Sequence, residues 1–273
     1  MVTPLRPIGL TGKQVRELCM ARMQAGARRT RITADQANLD AEEAALRAAF
    51  ARNSHRTLRP SVPVTKQVRA DMHWFYENRL RDSKAGRELW GEIISVGGRL
   101  CPFCHLAKPT TLEHSFPQST YPRLAVEPLN LVPACRDCNG ERLVGHGSIT
   151  ISPYFDAWAV TVPWLAAKVL DPAHPEDLEF TVVRDAILTL SQWNALQQFV
   201  RDVDLLDRYV GLAIEAFAEF TSGLKIAYPV VTESDARWEL DVKVSSHLTS
   251  FGINRWQTVA FSAWRDAADQ IAW

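Results

Sequence analysis

Two cysteine pairs, Cys101-Pro102-Phe103-Cys104 and Cys135-Arg136-Asp137-Cys138, stand 30 residues apart, and they restrict the fold more than any other feature of the chain. Thiols at this spacing can close around one zinc ion. A segment of about fifty residues buries too little apolar surface to fold alone, whereas ligation of zinc by thiolates contributes on the order of 10 kcal/mol to its ordering. With sulfur in all four positions no vacancy remains for water, so a zinc held this way is structural. Five cysteines, four of them in these pairs, fit a reducing compartment better than a disulfide framework. Cys19, the fifth, reads as a small buried apolar residue.

Chemistry then has to come from polar residues framed by the cysteines. Hydrolysis of a phosphodiester needs a deprotonated water, a cation to stabilise charge on the phosphate and leaving oxygen, and a means of positioning both. His114 suits the first task, since an imidazole with an ordinary pKa of about 6.5 accepts a proton near neutrality. Glu113 and Asn139 suit the second, because a hard cation such as Mg²⁺ takes oxygen ligands. Neighbours on a regular strand point to opposite faces, so Glu113 and His114 serve one site only at a strand end or in a loop. Taken singly the residues have plainer readings. Asn139 could cap a helix beginning at Gly140, Asn130 could be a turn residue, and Arg142 a solvated helix residue.

In the order Cys101, Cys104, Glu113, His114, Asn130, Leu131, Val132, Cys135, Cys138 and Asn139, the chain resembles the HNH, or ββα-metal, endonuclease family in its zinc-containing four-cysteine form. The resemblance covers about 40 residues. It implies His114 as the general base, Glu113 and Asn139 as ligands of one catalytic Mg²⁺ or Mn²⁺ ion, and Asn130 as the residue that orients the histidine-bearing loop. Arg142 falls where the family often carries a phosphate-touching basic residue. The acidic position is Glu rather than the commoner Asp, and the last is Asn rather than His. Further stretches, Leu112–Pro122, Pro153–Asp156 and Phe251–Trp256, are similar to bacterial HNH proteins, some of which sit in phage-defence clusters. The function implied is DNA cleavage that leaves a 3′-hydroxyl and a 5′-phosphate, with antiviral defence as its setting. Two alternatives stand beside it: a non-catalytic zinc knuckle that binds nucleic acid or protein, and a latent nuclease subunit activated by a partner ATPase or another defence subunit.

Charge is distributed unevenly along a chain of zero net charge. Lys and Arg outnumber Asp and Glu by 18 to 10 over residues 1–99, match them 4 to 4 over 100–150, and fall short by 9 to 17 over 151–273. A basic N-terminal third could follow a phosphate backbone, with Arg28, Arg29 and Arg31 as its contacts, or the two ends could simply pack together or solvate the surface. The expected organisation is mainly α, and α+β overall. A basic helical segment spans 1–99, the zinc-knuckle ββα-metal module 100–150, and a β-hairpin plus helical segment 151–273.

Periodicity predicts helices over 13–25 and 34–52 with the basic tract between them, then 65–80 and 83–96, with Gly97-Gly98 as the stop. Trp164–Leu170 and Leu178–Val183 should pair as a hairpin, followed by helix over 191–226, 232–249 and 254–270. His55, His73, His174 and His247 are read as structural, with His146 as a reserve ligand. The N-terminus lacks the apolar run of a signal peptide and no stretch of about 18 apolar residues could span a bilayer, so a cytoplasmic location is expected.

Overall fold

The computed structural model describes residues 3–140 and 151–273. It divides into two compact units, Val2–Ala157 and Trp158–Trp273. The first runs through α1 (Gly12–Met20), α2 (Ala27–Ala34), α3 (Gln36–Ala51), α4 (Lys66–Phe75) and α5 (Lys84–Ser95), then β1 (Thr111–His114), β2 (Leu131–Ala134) and the short α6 (Arg136–Gly140). The second comprises α7 (Trp158–Thr161), β3 (Leu165–Val169), β4 (Leu178–Val182), α8 (Leu190–Asp202), α9 (Leu205–Ala227), α10 (Glu233–Phe251) and α11 (Trp256–Asp266). The chain is thus mostly helical with two small antiparallel sheets, β1–β2 and β3–β4, which is the α+β character expected.

Local chemistry explains most boundaries. Thr11 and Gln14 form a reciprocal capping box at the start of α1, while Thr65 and Ser83 cap α4 and α5 through their hydroxyls. Gly98, with φ of 68°, ends the turn after α5, and Gly252, with φ of 89°, closes α10. The predicted 191–226 helix is interrupted at Asp204, whose φ of 47° breaks it into α8 and α9. Between α4 and α5 the chain makes a π-helical turn over Tyr76–Arg81, closed by Asp82 N–H donating to the Glu77 carbonyl at 3.0 Å. Periodicity alone did not distinguish that turn from the α-helix it interrupts.

One expectation needs correcting. The basic tract is not a linker but the body of α2, because Arg28 and Arg31, three residues apart on one face, both close on the buried Asp71 of α4. The Arg31 fork holds the Asp71 carboxyl below its usual range. The cysteine-bearing segment, expected to have little core of its own, shares that of the helices. Leu112, Ala125, Val126 and Leu131 join Val15, Ile32, Leu39, Phe75 and Leu80 in one apolar cluster, so helices and sheet share a single interior.

Buried charge ties the same unit together. Glu43 and Glu127 both accept from the Gly12 amide, at 3.1 and 2.8 Å, and Glu43 also accepts from Lys13 N–H at 2.8 Å. The carboxylates lie so close that a Cβ at position 12 would collide with them. Arg47 answers them with bonds to Glu43 (3.2 Å) and Glu127 (2.8 Å), and Arg16 reaches Asp40 and Glu43. Glu127 thus links α1 and α3 to the turn that carries Asn130.

Candidate functional site

The four cysteine sulfurs are all buried and lie within 4.8 Å of one another, with none in a disulfide. Cys104 Sγ and Cys135 Sγ are 3.7 Å apart. Thiolates about 2.3 Å from a central zinc would be separated by about 3.8 Å at tetrahedral angles, so the cluster fits that ion. Backbone amides support the sulfurs: Leu106 N–H donates to Cys104 and Cys135 N–H to Cys101, both at 3.4 Å. Without a cation the thiols do not ionise together. Hydrogen bonding from Cys101 eases deprotonation of Cys104 and Cys135, whereas Cys101 and Cys138 are driven up by their sulfur neighbours. A dication removes the conflict by taking every sulfur as thiolate. His105, the neighbouring histidine, instead bonds Thr3 Oγ1 through Nε2 at 2.6 Å.

After the first cysteine pair the chain enters β1, which pairs antiparallel with β2 in the register Glu113 to Val132 and His114 to Leu131. His114 is the last residue of β1, so the strand's alternation stops there. Its ring keeps part of its surface while protein surrounds the remaining sides. That desolvation draws its pKa down to about 4, against an opposing pull from the Ala125 carbonyl and with a small further push from His73. Nε2 lies 2.9 Å from the Ala125 carbonyl oxygen. A carbonyl only accepts, so the neutral ring carries its proton on Nε2 and keeps its lone pair on Nδ1. Tyr76 packs edge-on at 4.6 Å, delivered by the π-helical turn, and the Gln118 amide covers the ring edge at 2.9 and 3.4 Å from the two nitrogens.

Asn130 is fully buried at the end of a 3-10 turn, Pro128–Asn130. Its Oδ1 accepts from Phe116 N–H at 2.7 Å, and its Nδ2 donates to the Phe116 and Leu124 carbonyls at 3.2 and 2.9 Å. Every bond falls on backbone flanking the loop after His114, which is why an amide rather than an acid stands here. Asn139 lies within α6, which begins at Arg136, so the alternative of a cap for a helix starting at Gly140 is ruled out. Its Nδ2 donates to the Leu112 carbonyl at 3.4 Å, the residue before Glu113, which turns Oδ1 outward from that bond.

The structure therefore brings the cysteines together and seats α6 against β1. It does not bring the basic tract into this group: Arg28 and Arg31 are engaged with Asp71, Arg28 also covers the Trp74 ring at 4.4 Å, and Arg29 bonds the Met23 carbonyl. Arg142 and His146 lie outside the described residues. Sequence reasoning did not place Tyr76 and Gln118 beside His114, and His73, read as structural, bonds through Nδ1 to Gln118 Oε1 at 3.0 Å. Gln118, four residues after His114, was the one sequence signal available.

No protein-family profile matches the chain, and no solved structure does. Among curated proteins it is similar to Protein ea31 of Escherichia phage lambda, 36% identical over 108 residues that cover 36% of each chain. It is also similar to Septu protein PtuB of Bacillus thuringiensis, 31% identical over 68 residues, 21% of this chain and 26% of that protein. The likeness thus spans a minor part of either relative. Among the described residues no helix is long and apolar enough to cross a membrane.

Proposed function

We propose that the Val2–Ala157 unit is an HNH-type nuclease module that hydrolyses phosphodiester bonds in DNA, with His114 as general base. The observation that carries this reading is the state of His114: a neutral ring, fixed by its Nε2–H bond to Ala125, with the lone pair on Nδ1. A base held this way accepts a proton from water without first reorienting. Tyr76 and Gln118 keep the ring plane, and Asn130 fixes the loop behind it. By the family resemblance, the Glu113 carboxylate and the Asn139 amide oxygen would be the hard oxygen ligands, suited to Mg²⁺ or Mn²⁺. Such an ion, when bound, would supply charge stabilisation at the scissile phosphate and leaving oxygen. Zinc in the four-cysteine cluster would serve only to hold β1, β2 and α6 in place.

A setting in antiviral defence, with an ATPase or another defence subunit as partner, is the wider role we infer. It draws on the family resemblance and on the likeness to Septu protein PtuB.

The test is cleavage of supercoiled plasmid by the purified chain with Mg²⁺ or Mn²⁺. His114→Ala should lower the rate by roughly 10²- to 10⁴-fold, the usual contribution of a general base. Equal nicking by wild type and His114→Ala would remove His114 from the chemistry. Activity that appears only on adding a neighbour-encoded protein would identify the latent form.

A further inference from the structure

Alongside the loop that follows His114 runs the exposed face of α4, and its sequence is basic. Lys66, Arg69 and His73 stand at i, i+3 and i+7, one stripe of a helix that rises about 1.5 Å per residue, so the stripe is roughly 10 Å long. Two contacts join it to the His114 loop: Arg69 Nε donates to the Ser119 carbonyl at 2.8 Å, and His73 meets Gln118, which itself touches the His114 ring. Beyond Arg69 opens a cleft of about 470 Å³, floored by Ser61, Val62 and Pro63 and rimmed by Arg69, Ser119 and Thr120. Its size lies in the range of sites for nucleotide-sized groups, roughly 300–1,000 Å³. Among the described residues no carboxylate lines it.

The contrast with α2 decides what this stripe is for. Arg28 and Arg31 have their charge answered by a buried carboxylate, whereas among the described residues no Asp or Glu pairs with Lys66 or Arg69. Cations without a paired carboxylate, beside the hydroxyl-bearing Ser61, Ser119 and Thr120 of an open cleft, suit the phosphates of a nucleic-acid strand. The stripe is about as long as three phosphate steps along a duplex, at about 3.4 Å each.

We infer that the α4 stripe and the adjoining cleft bind the DNA backbone flanking the scissile phosphate, with Lys66 and Arg69 each neutralising one phosphate and His73 leading the strand toward His114. This rests on the nuclease reading of His114 but uses none of its metal ligands. The contacts carry no base information, so they set affinity and register rather than sequence choice.

Binding of a fluorescein-labelled DNA duplex, measured over a salt series without Mg²⁺ or Mn²⁺ so that nothing is cut, tests it directly. Lys66→Ala combined with Arg69→Gln should weaken binding about tenfold and lower the slope of log K against log salt by about 1.8, or about 0.9 per lost phosphate contact. Because Arg69 also holds the Ser119 carbonyl, Lys66→Glu alone is the check that leaves that bond intact, and it should weaken binding severalfold. Arg52→Gln, an exposed arginine outside the cleft, should change neither quantity. Unchanged affinity and slope in both stripe variants, with wild type binding normally, overturns the inference while leaving the nuclease reading standing. Wild type that binds through these residues but never cuts plasmid, alone or with the neighbour-encoded protein, overturns the nuclease reading alone, and wild type that neither binds nor cuts defeats both.

Discussion

Each unit is stapled by a fully buried asparagine, and the two staples hold different things. Asn254 of the C-terminal unit accepts from Trp164 and Leu165 N–H, at 2.9 and 3.2 Å, and donates to the Ala159 and Val162 carbonyls, at 3.2 and 2.8 Å. It fastens the foot of β3. Asn130 makes the same kind of bonds to a loop that follows a half-buried histidine. A saturated, buried amide is therefore no mark of function in itself. What separates the units is their surroundings: the first buries Arg16, Glu42, Glu43, Asp71, Arg123, Glu127 and Asp156, while among the described residues of the second only Arg255 is a buried charge. Burying an ion costs several kcal/mol unless it is well paired. The N-terminal unit accepts that cost repeatedly around one loop system, and the C-terminal unit relies on aromatic packing instead.

The largest effect should come from the cysteines. Cys101→Ser, or a strong chelator, should withdraw any zinc the cluster holds, and with it an ordering contribution on the order of 10 kcal/mol from the first unit alone. Limited proteolysis should then cut within 2–157 while 158–273 survives, and equal loss of both units would erase the contrast between them. Next comes Trp264→Ala, the reverse case. That ring is fully buried against Phe217 and Phe261, at 5.0 and 5.1 Å, so thermal unfolding should show about 3–5 kcal/mol lost, with zinc content unchanged.

Asn130→Ala and Asn254→Ala should be closely matched in stability, each costing about 2–3 kcal/mol for stranded backbone groups. Only the first should move the ring signals of His114 in an NMR spectrum. The smallest effect concerns Glu127, whose pKa rises to about 7 through burial first and Glu43 second, with Arg47 and two backbone amides opposing. An acid with a raised folded pKa binds its proton more tightly when folded. Its stabilising contribution is therefore complete below about pH 4.5 and is lost as the pH climbs toward 7. Denaturation from pH 5 to 8 should show Glu127→Gln gaining about 2 kcal/mol on wild type, because each tenfold difference in proton affinity is worth roughly 1.4 kcal/mol and Arg47 moderates the total. A pH-independent difference would discard this coupling.

The second unit was the more legible in sequence. Its hairpin and most of its helices follow from local periodicity and Gly252, while the reach of Asn254 back to β3 does not. The first unit was legible only where chemistry is written locally, as in the Cys-x-x-Cys pairs and the Thr and Ser caps. The helical state of 27–34 depends on Asp71, about 40 residues away, and the surroundings of His114 depend on a turn after α4. Neither partner shares a motif with what it contacts, so no window along the chain contains both.

The π-helical turn at Tyr76–Arg81 has a consequence for anyone altering this chain. It holds one residue more than an α-helix of the same length needs, so deleting a residue there should improve helical hydrogen bonding. It would also rotate one side of the helix by about 100° relative to the other. Tyr76 and the stripe of Lys66, Arg69 and His73 would then turn together relative to Leu80 and α5, and a change that raised the melting temperature would shift that surface against the histidine beside it.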